Sequence, residues 1–127
     1  MKIDIDRFDQ SVMNELYGYE EEIEQGLRSV VKRAGQSAVR KLRTASPKRT
    51  GDYAKGWTQR VSKESEPPET VVYNRKKPYL THLLENGHQK ADGGRVEGKP
   101  HIQPAAEAAE SQALRDVEAM IREVSGG

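Results

Sequence analysis

The stretch IEQGLRSVVKRAGQSAVRKLRTASP, which runs from Ile23 to Pro47, predicts the helix around which the fold is organised. Ser46-Pro47 ends this helix, because the residue before a proline is disfavoured in helical backbone geometry. The apolar residues recur at steps of three and four, as they do on one face of an α-helix. They form one stripe directed toward a core, with most of the basic residues elsewhere on the helix: Ile23, Leu27, Val30, Val31, Ala34, Ala38 and Leu42.

A shorter helix is predicted before this one. Phe8, Val12 and Leu16 recur every four residues in the stretch from Arg7 to Leu16, and a tyrosine-glycine-tyrosine sequence follows. This spacing is typical of one helical face. We therefore expect residues 6–45 to form a helical N-terminal region.

Two strands are predicted in the middle of the chain. Residues 57–63 alternate in polarity, and residues 70–73 are largely apolar. The segment 65–69 between them contains two prolines, which cannot donate hydrogen bonds to a strand ladder. We therefore expect a loop that joins antiparallel neighbours. A further short strand is predicted at residues 101–102.

A short helix is predicted from Pro78 to Asn86. Proline is favoured in the first turn of a helix and glycine just past its end, where Gly87 stands. Three leucines would form its buried stripe, namely Leu80, Leu83 and Leu84.

The segment from Lys90 to Gly98 is rich in glycine and charge, which predicts a mobile loop. After it, residues 104–123 predict a helix with a slender apolar face made of Ala105, Ala108, Ala109, Gln112, Ala113, Val117, Met120 and Ile121. The predicted fold class is α+β. N-terminal helices and a C-terminal helix pack on a small antiparallel sheet, with a flexible glycine-rich loop. Residues 1–127 would form one domain, divided into 6–45, 52–103 and 104–123.

Composition limits the classes of protein to which the chain can belong. It has 127 residues, of which 34% are hydrophobic and 32% charged, so its core is small and a face buried only in an assembly is expected. The absence of cysteine excludes disulfides, thiolate zinc sites and a cysteine nucleophile. No apolar run has the length of a membrane span, and the N-terminus lacks the apolar core of a signal peptide. We expect a soluble protein made in the cytoplasm.

The charges are segregated along a chain whose net charge is only +1. Residues 4–24 carry eight acidic residues and one basic residue, Arg7. Residues 28–63 carry eleven basic residues and one acidic residue, Asp52. This polarity is consistent with a nucleic-acid surface, with head-to-tail contacts between identical subunits, or with a solvated helix face.

The sequence His82-x-x-Glu85-x-x-His88 raises the question of a metal site, with His101 as a further ligand. His82 and Glu85 would share a helix face. Gly87 is expected to end the helix before His88, so the three side chains are not preset on one helix as in a zinc-binding His-Glu-x-x-His motif. We therefore expect no resident metal here. His82, Glu85 and His88 are predicted to be polar groups on the outward side of a helix end, available for subunit contact.

The order of these elements resembles that of a known family. The sequence runs from a helix ending at Ser46-Pro47 through RTGDY (49–53) and GW (56–57), then YLTHLLENGHQ (79–89) and GGRVEGKPHIQPA (93–105). It resembles the tail-completion or tail-component family of tailed double-stranded-DNA phages and prophages. The resemblance covers nearly the whole chain and is most specific from Tyr79 to Ala105.

This resemblance implies a structural virion protein at the head-tail joint, a tail-completion, terminator or neck component. It implies a homo-oligomeric ring, such as a hexamer, that contacts the tail-tube protein and the head-side connector proteins and has non-specific access to DNA in the channel. It implies assembly in the host cytoplasm, no enzymatic activity, no membrane, and no catalytic residue, cofactor or metal to carry over. Candidate subunit-interface or loop-anchoring residues are His82, Glu85, Gly87, His88, Arg95 and His101. The candidate basic surface is Arg40, Lys41, Arg43, Lys48 and Arg49.

Two other functions remain open from the residues alone. The first is a metal-dependent nuclease that uses His82, Glu85 and His88, with basic residues between 28 and 63 holding the DNA backbone. The second is a DNA-binding module without sequence preference, built on the same basic stretch.

Overall fold

A computed structural model of the chain describes residues 1–4, 21–48, 51–62 and 68–126. The predicted long helix is confirmed as α1, Glu21–Ala45, and Ser46 follows it outside the helix. All seven residues of the predicted stripe are buried. The short helix predicted at 7–16 lies outside the described residues, and so does Arg49.

The predicted C-terminal helix is confirmed as α4, Ile102–Gly126. It begins two residues before the predicted start, so no strand forms at residues 101–102. It packs antiparallel to α1, since Gly26 lies against Met120 near one end and Arg33 pairs with Asp116 at 3.9 Å. The residues of α4 that face α1 are small, which lets the two helices approach closely. The buried ones are Ala105, Ala109, Ala113 and Val117.

The α+β prediction is confirmed by a three-stranded antiparallel sheet packed on α1. Its strands are β1 (Lys2–Asp4), β2 (Trp57–Val61) and β3 (Glu69–Asn74), in the order β1-β3-β2. Trp57 pairs with Asn74, and Val61 pairs with Thr70. Ile3 and Val72 are buried in the core. The sequence predicted β2 and β3 but not β1.

The connections between these elements are short. The one-turn helix α2, Asp52–Lys55, leads into β2. A 3₁₀ turn, Pro78–Leu80, continues into α3, Thr81–Asn86, and this pair confirms the predicted short helix. The prediction that all three of its leucines are buried is wrong for one of them. Leu80 and Leu84 pack against the core, but the side chain of Leu83 is 38% exposed.

A second sheet replaces part of the loop predicted at 90–98. It is a hairpin of β4 (Gly87–Gln89) and β5 (Arg95–Glu97), in which His88 pairs with Val96. The glycines of the segment supply the turn between the two strands. Residues 95–97 therefore form a strand, where the sequence predicted a loop. No helix in the described part of the chain is both long enough and apolar enough to cross a membrane.

Candidate functional site

The three histidines are held in different environments. His82 lies on the exposed side of α3, with its Nδ1 atom 3.1 Å from the amide of Asn86. His88 is half-buried in β4, and its Nδ1 atom has no hydrogen-bond partner in the described part of the protein. His101 is buried just before α4. No three histidine, aspartate or glutamate side chains among the described residues come together as a metal-binding set.

The prediction that Glu85 faces outward is wrong. Its side chain is only 13% exposed and points to the start of α4. Oε1 accepts hydrogen bonds from the backbone N–H groups of His101 and Ile102, both at 2.8 Å, and Oε2 accepts one from Gln103 at 3.0 Å. These donors have no partner inside a helix, and a negative charge near them is stabilising. Glu85 therefore caps α4 from a separate helix.

The charge of Glu85 is matched to this position. Burial alone would raise the pKa of its carboxyl. The three backbone donors and the imidazole of His101 act in the opposite direction, and the pKa is held below its usual value of 4.5. Because hydrogen bonds to the charged form favour ionisation, Glu85 is a carboxylate at neutral pH.

His101 links this cap to the aromatic part of the core. Its Nδ1 atom lies 3.0 Å from Oε1 of Glu85 and 2.6 Å from the carbonyl oxygen of Lys99, and its Nε2 atom lies 2.6 Å from the hydroxyl of Tyr53. Both neighbours of Nδ1 are acceptors, so we assign the proton to Nδ1. Tyr53 then donates to Nε2. Burial, with the nearby charge of Glu85, raises the pKa of Tyr53 to about 12, so its hydroxyl keeps this proton.

Trp57 completes the cluster on the side of α1. Its ring lies edge-on to Tyr53 and His101, with centroids 5.6 and 6.3 Å apart. Its indole N–H donates to the hydroxyl of Ser46 at 2.8 Å, and Ser46 in turn donates to the carbonyl of Leu42 in α1. We call Ser46, Tyr53, Trp57, Glu85 and His101 the polar core cluster. It joins α1, α2, β2, α3 and α4, and every member except Glu85 is buried. Because the cluster is enclosed, its role is to hold these elements together.

The predicted basic surface is only partly available for contact. Arg43 donates to the carbonyl of Trp57 from Nη2 at 2.8 Å and from Nε at 3.2 Å, and Lys48 donates to the carbonyl of Thr44 at 2.8 Å. Arg40 and Lys41 are exposed, and neither has an acidic partner among the described residues. These two residues line an open groove of about 540 Å³ between the end of α1 and the start of α4.

The β4–β5 hairpin depends on Gly87. This residue has φ +80° and ψ 175°, a conformation that only glycine adopts easily. A Cβ atom here would lie 2.4 Å from the carbonyl oxygen of Val96. Arg95 closes the hairpin by donating to the carbonyl of Asn86 at 2.8 Å.

We expect Gly87→Ala to lower the free energy of unfolding by about 1–3 kcal/mol, because it combines backbone strain with a clash against backbone. Gly93→Ala is the matched control. Gly93 also has positive φ, +92°, but nothing lies within 4 Å of a Cβ added there. Urea denaturation of both variants separates the two effects. Equal losses of stability would show that the contact with Val96 is unimportant.

A comparison with known protein families gives a match over part of the chain. Residues 10–87 match the family model described as "Bacteriophage HK97-gp10, putative tail-component". The match covers more than half of the chain. It contains α1, the 3₁₀ turn Pro78–Leu80 and α3.

The chain belongs to this family of phage tail components. As a tail component it is a protein of the virion. Searches among curated proteins and among solved structures gave no match. In this HK97-gp10-like protein the polar core cluster lies partly beyond the matched residues, because His101 and α4 follow residue 87. The sequence reasoning missed Tyr53 and Ser46 as partners of His101 and Trp57, since neither pair is close in sequence.

Proposed function

We propose that this tail component acts at the head-tail joint, as a ring-forming tail-completion, terminator or neck protein. Family membership supports a structural role in the tail, and no enzymatic activity is part of the proposal. Residues 1–127 would act as one unit in which α1, the sheet and α4 share a core. The ring would contact the tail-tube protein on one side and head-side connector proteins on the other.

The observation that carries the proposal is an exposed apolar surface on an otherwise polar protein. Tyr79 is 65% exposed and Leu83 is 38% exposed, and they are four residues apart on the continuous helical segment 78–86. Residues four apart lie on the same helical face. Aromatic residues are enriched at the centre of protein interfaces, where they supply much of the binding energy. We infer that this face contacts another virion subunit.

The candidate interface residues divide into two groups under this proposal. His82 is exposed next to Leu83 in the chain, and Arg95 is exposed and donates to the carbonyl of Asn86 at the end of the same helix; both would make direct contacts. Glu85, Gly87 and His101 would act indirectly by anchoring the start of α4 and the hairpin, with His88 in the hairpin itself. The metal-dependent nuclease is not proposed, since Glu85 is occupied by the start of α4.

We expect Tyr79→Ala to weaken subunit association by at least about tenfold, since buried interface tyrosines often contribute more than 1.4 kcal/mol. Tyr79→Phe is the control, because it retains the ring and should retain most of the association. Sedimentation of the purified protein, alone and with tail-tube protein, measures both. Unchanged association in Tyr79→Ala, with normal folding, would contradict the assignment of this face.

The position of the protein in the phage particle requires a separate experiment. A phage or prophage lacking the gene is expected to yield heads and tails that do not join, and the native gene supplied in trans should restore joining. Electron microscopy of particles that carry a tagged copy should place density between head and tail tube. Joined, infectious particles without the protein, or a tag elsewhere in the tail, would refute the proposed function.

A further inference from the structure

Two basic segments that are distant in the sequence meet at Gly56. Lys55 is the last residue of α2 and directly precedes this glycine. The backbone N–H of Arg75, in the bend after β3, donates to the carbonyl of Gly56 at 2.8 Å. The Cβ atom of Lys76 lies 3.0 Å from the position that a Cβ atom of residue 56 would occupy. The absence of a side chain at Gly56 therefore lets the bend lie against the end of α2.

The end of α1 adds a third basic element at the same place. Arg43 donates to the carbonyl of Trp57, the residue after Gly56, through both Nε and Nη2. These bonds hold the guanidinium beside the turn and leave its remaining N–H groups for another acceptor. Four exposed basic residues are thus brought together, and we call them the basic face: Arg43, Lys55, Arg75 and Lys76.

A buried asparagine fixes the bend to α2. Asn74 is only 2% exposed. Its Nδ2 atom donates to the carbonyl of Tyr53 in α2 at 2.7 Å, and its Oδ1 atom accepts from the backbone N–H of Lys77 at 2.9 Å. The bend that carries Arg75 and Lys76 is therefore tied to α2 by a side chain as well as by backbone. The fold itself sets the backbone positions of these two cations.

The positive charge of the basic face is not neutralised by the described part of the protein. None of its four members forms an ion pair with a described acidic residue. The acidic residue of α2, Asp52, lies three residues before Lys55. By contrast, Arg28 and Arg33, nearer the start of α1, pair with acidic side chains at 2.9 and 3.9 Å. A cluster of exposed cations without acidic partners attracts an anionic molecule.

The composition of the basic face fits a nucleic-acid backbone better than a protein surface. The centre of a protein interface is enriched in aromatic residues and depleted of charge. No exposed large hydrophobic residue of the described chain lies in α1, α2 or the bend 75–77; these residues are Tyr73, Tyr79, Leu83 and Val96. Tyr73 is the nearest of them in the chain, and a tyrosine hydroxyl can donate to phosphate. Phosphate contacts require only cations and hydrogen-bond donors.

We propose that the basic face binds the phosphate backbone of double-stranded DNA without reading its base sequence. Of the basic surface predicted from the sequence, Arg43 is part of this face, and Arg75 and Lys76 join it from beyond the basic stretch 28–63. The inference goes beyond the proposed function. It depends neither on the position of the protein in the tail nor on ring formation.

Removing three of the four charges tests the inference. Lys55→Gln, Arg75→Gln and Lys76→Gln are combined in the full-length protein, and Arg43 is retained because it hydrogen-bonds to β2. Fluorescence anisotropy measures binding to short duplex DNA of mixed sequence between about 50 and 200 mM salt. We expect at least tenfold weaker binding at the lowest salt. The plot of log affinity against log salt should become shallower by about 3, since each phosphate contact contributes roughly 0.9 to its slope.

A matched triple variant controls for net charge. Lys32→Gln, Arg115→Gln and Arg122→Gln remove the same charge from exposed positions. Lys32 lies about 17 Å from Arg43 along α1 at 1.5 Å per residue, and the other two lie in the second half of α4. Circular dichroism checks that both variants fold. An equal loss of affinity in the control, or no loss in the basic-face variant, would overturn the inference.

Chemical modification of the native protein provides a test without substitutions. Lys55 and Lys76 are expected to be acetylated more slowly when duplex DNA is bound, whereas Lys32 should react at the same rate with and without DNA. Mass spectrometry of the digested protein measures each lysine. Equal protection of all three lysines, or protection of none, would count against the basic face.

A competition experiment distinguishes DNA from an acidic polypeptide. Duplex DNA carries about one negative charge per 1.7 Å of its axis, so unlabelled duplex should displace the probe more effectively than polyglutamate at the same concentration of charge. Equal displacement by polyglutamate would mean that the face takes acidic proteins and would overturn the inference. These results are independent of the gene-deletion experiment. Failure of the head-tail role therefore leaves the DNA face standing, and failure of the DNA face leaves the head-tail role standing.

Discussion

Trp57→Ala is expected to lower the free energy of unfolding by about 3–5 kcal/mol, a large part of the stability of a domain of this size. The side chain is only 2% exposed. Its removal leaves a cavity at the junction of α1, α2 and β2. It also removes edge-on ring contacts with Tyr53 and His101 and leaves Ser46 without its indole donor. Urea denaturation monitored by circular dichroism measures the loss.

A double-mutant cycle separates the hydrogen bond from the packing. Ser46→Ala leaves the indole N–H of Trp57 buried without an acceptor and should cost about 1–3 kcal/mol. Trp57→Phe removes the donor together with part of the ring volume. If the hydrogen bond contributes, the double variant loses less stability than the sum of the two single variants. Strict additivity would show that Trp57 acts through packing alone.

The longer helices and strands of the fold could be predicted from the sequence because their hydrophobic residues recur periodically. The stripe of α1 extends over twenty residues, and all its members are buried. Strands β2 and β3 were placed correctly, and β2 begins at Trp57 as predicted, but β2 ends two residues before the predicted end and β3 is one residue longer at each end. Gly87 marked the end of α3 because a helix end with positive φ favours glycine.

Elements of three residues gave no comparable signal. Strand β1 contains a single buried apolar residue, Ile3, and β5 contains only Arg95, Val96 and Glu97. Periodicity cannot be judged over so few positions. Leu83 was assigned to the core for a related reason. A helix of six residues with two adjacent leucines does not define which of them faces inward.

The function of Glu85 could not be derived from spacing, because its partners are backbone groups sixteen to eighteen residues away. One signal was nevertheless present. The residues before α4 are Lys99, Pro100 and His101, and none is a serine, threonine, aspartate or asparagine of the kind that usually caps a helix. A helix start without a local capping residue leaves its N–H groups to water or to another part of the chain, and in this protein Glu85 accepts from them.

Glu85→Gln is expected to lower the free energy of unfolding by about 1–3 kcal/mol at neutral pH, since hydrogen bonds to a charged acceptor are the stronger kind. The glutamine amide can accept through one atom only, and its NH₂ group would oppose an N–H donor of α4. Loss of the Glu85 carboxylate should also loosen the position of His101, whose Nδ1 atom contacts it. Glu97→Gln is the control, because the side chain of Glu97 is 87% exposed and should contribute little.

The dependence on pH distinguishes the charged cap from simple packing. The pKa of Glu85 is lower in the folded protein than its usual value of 4.5, so its contribution to stability is present above pH 4.5 and is lost as the pH falls through the folded pKa. The native protein should therefore lose its advantage over Glu85→Gln progressively below pH 4.5. Urea denaturation of both proteins between neutral pH and about pH 3 measures this convergence. A difference that stays constant across that range would mean that the carboxylate holds α4 by shape and not by charge.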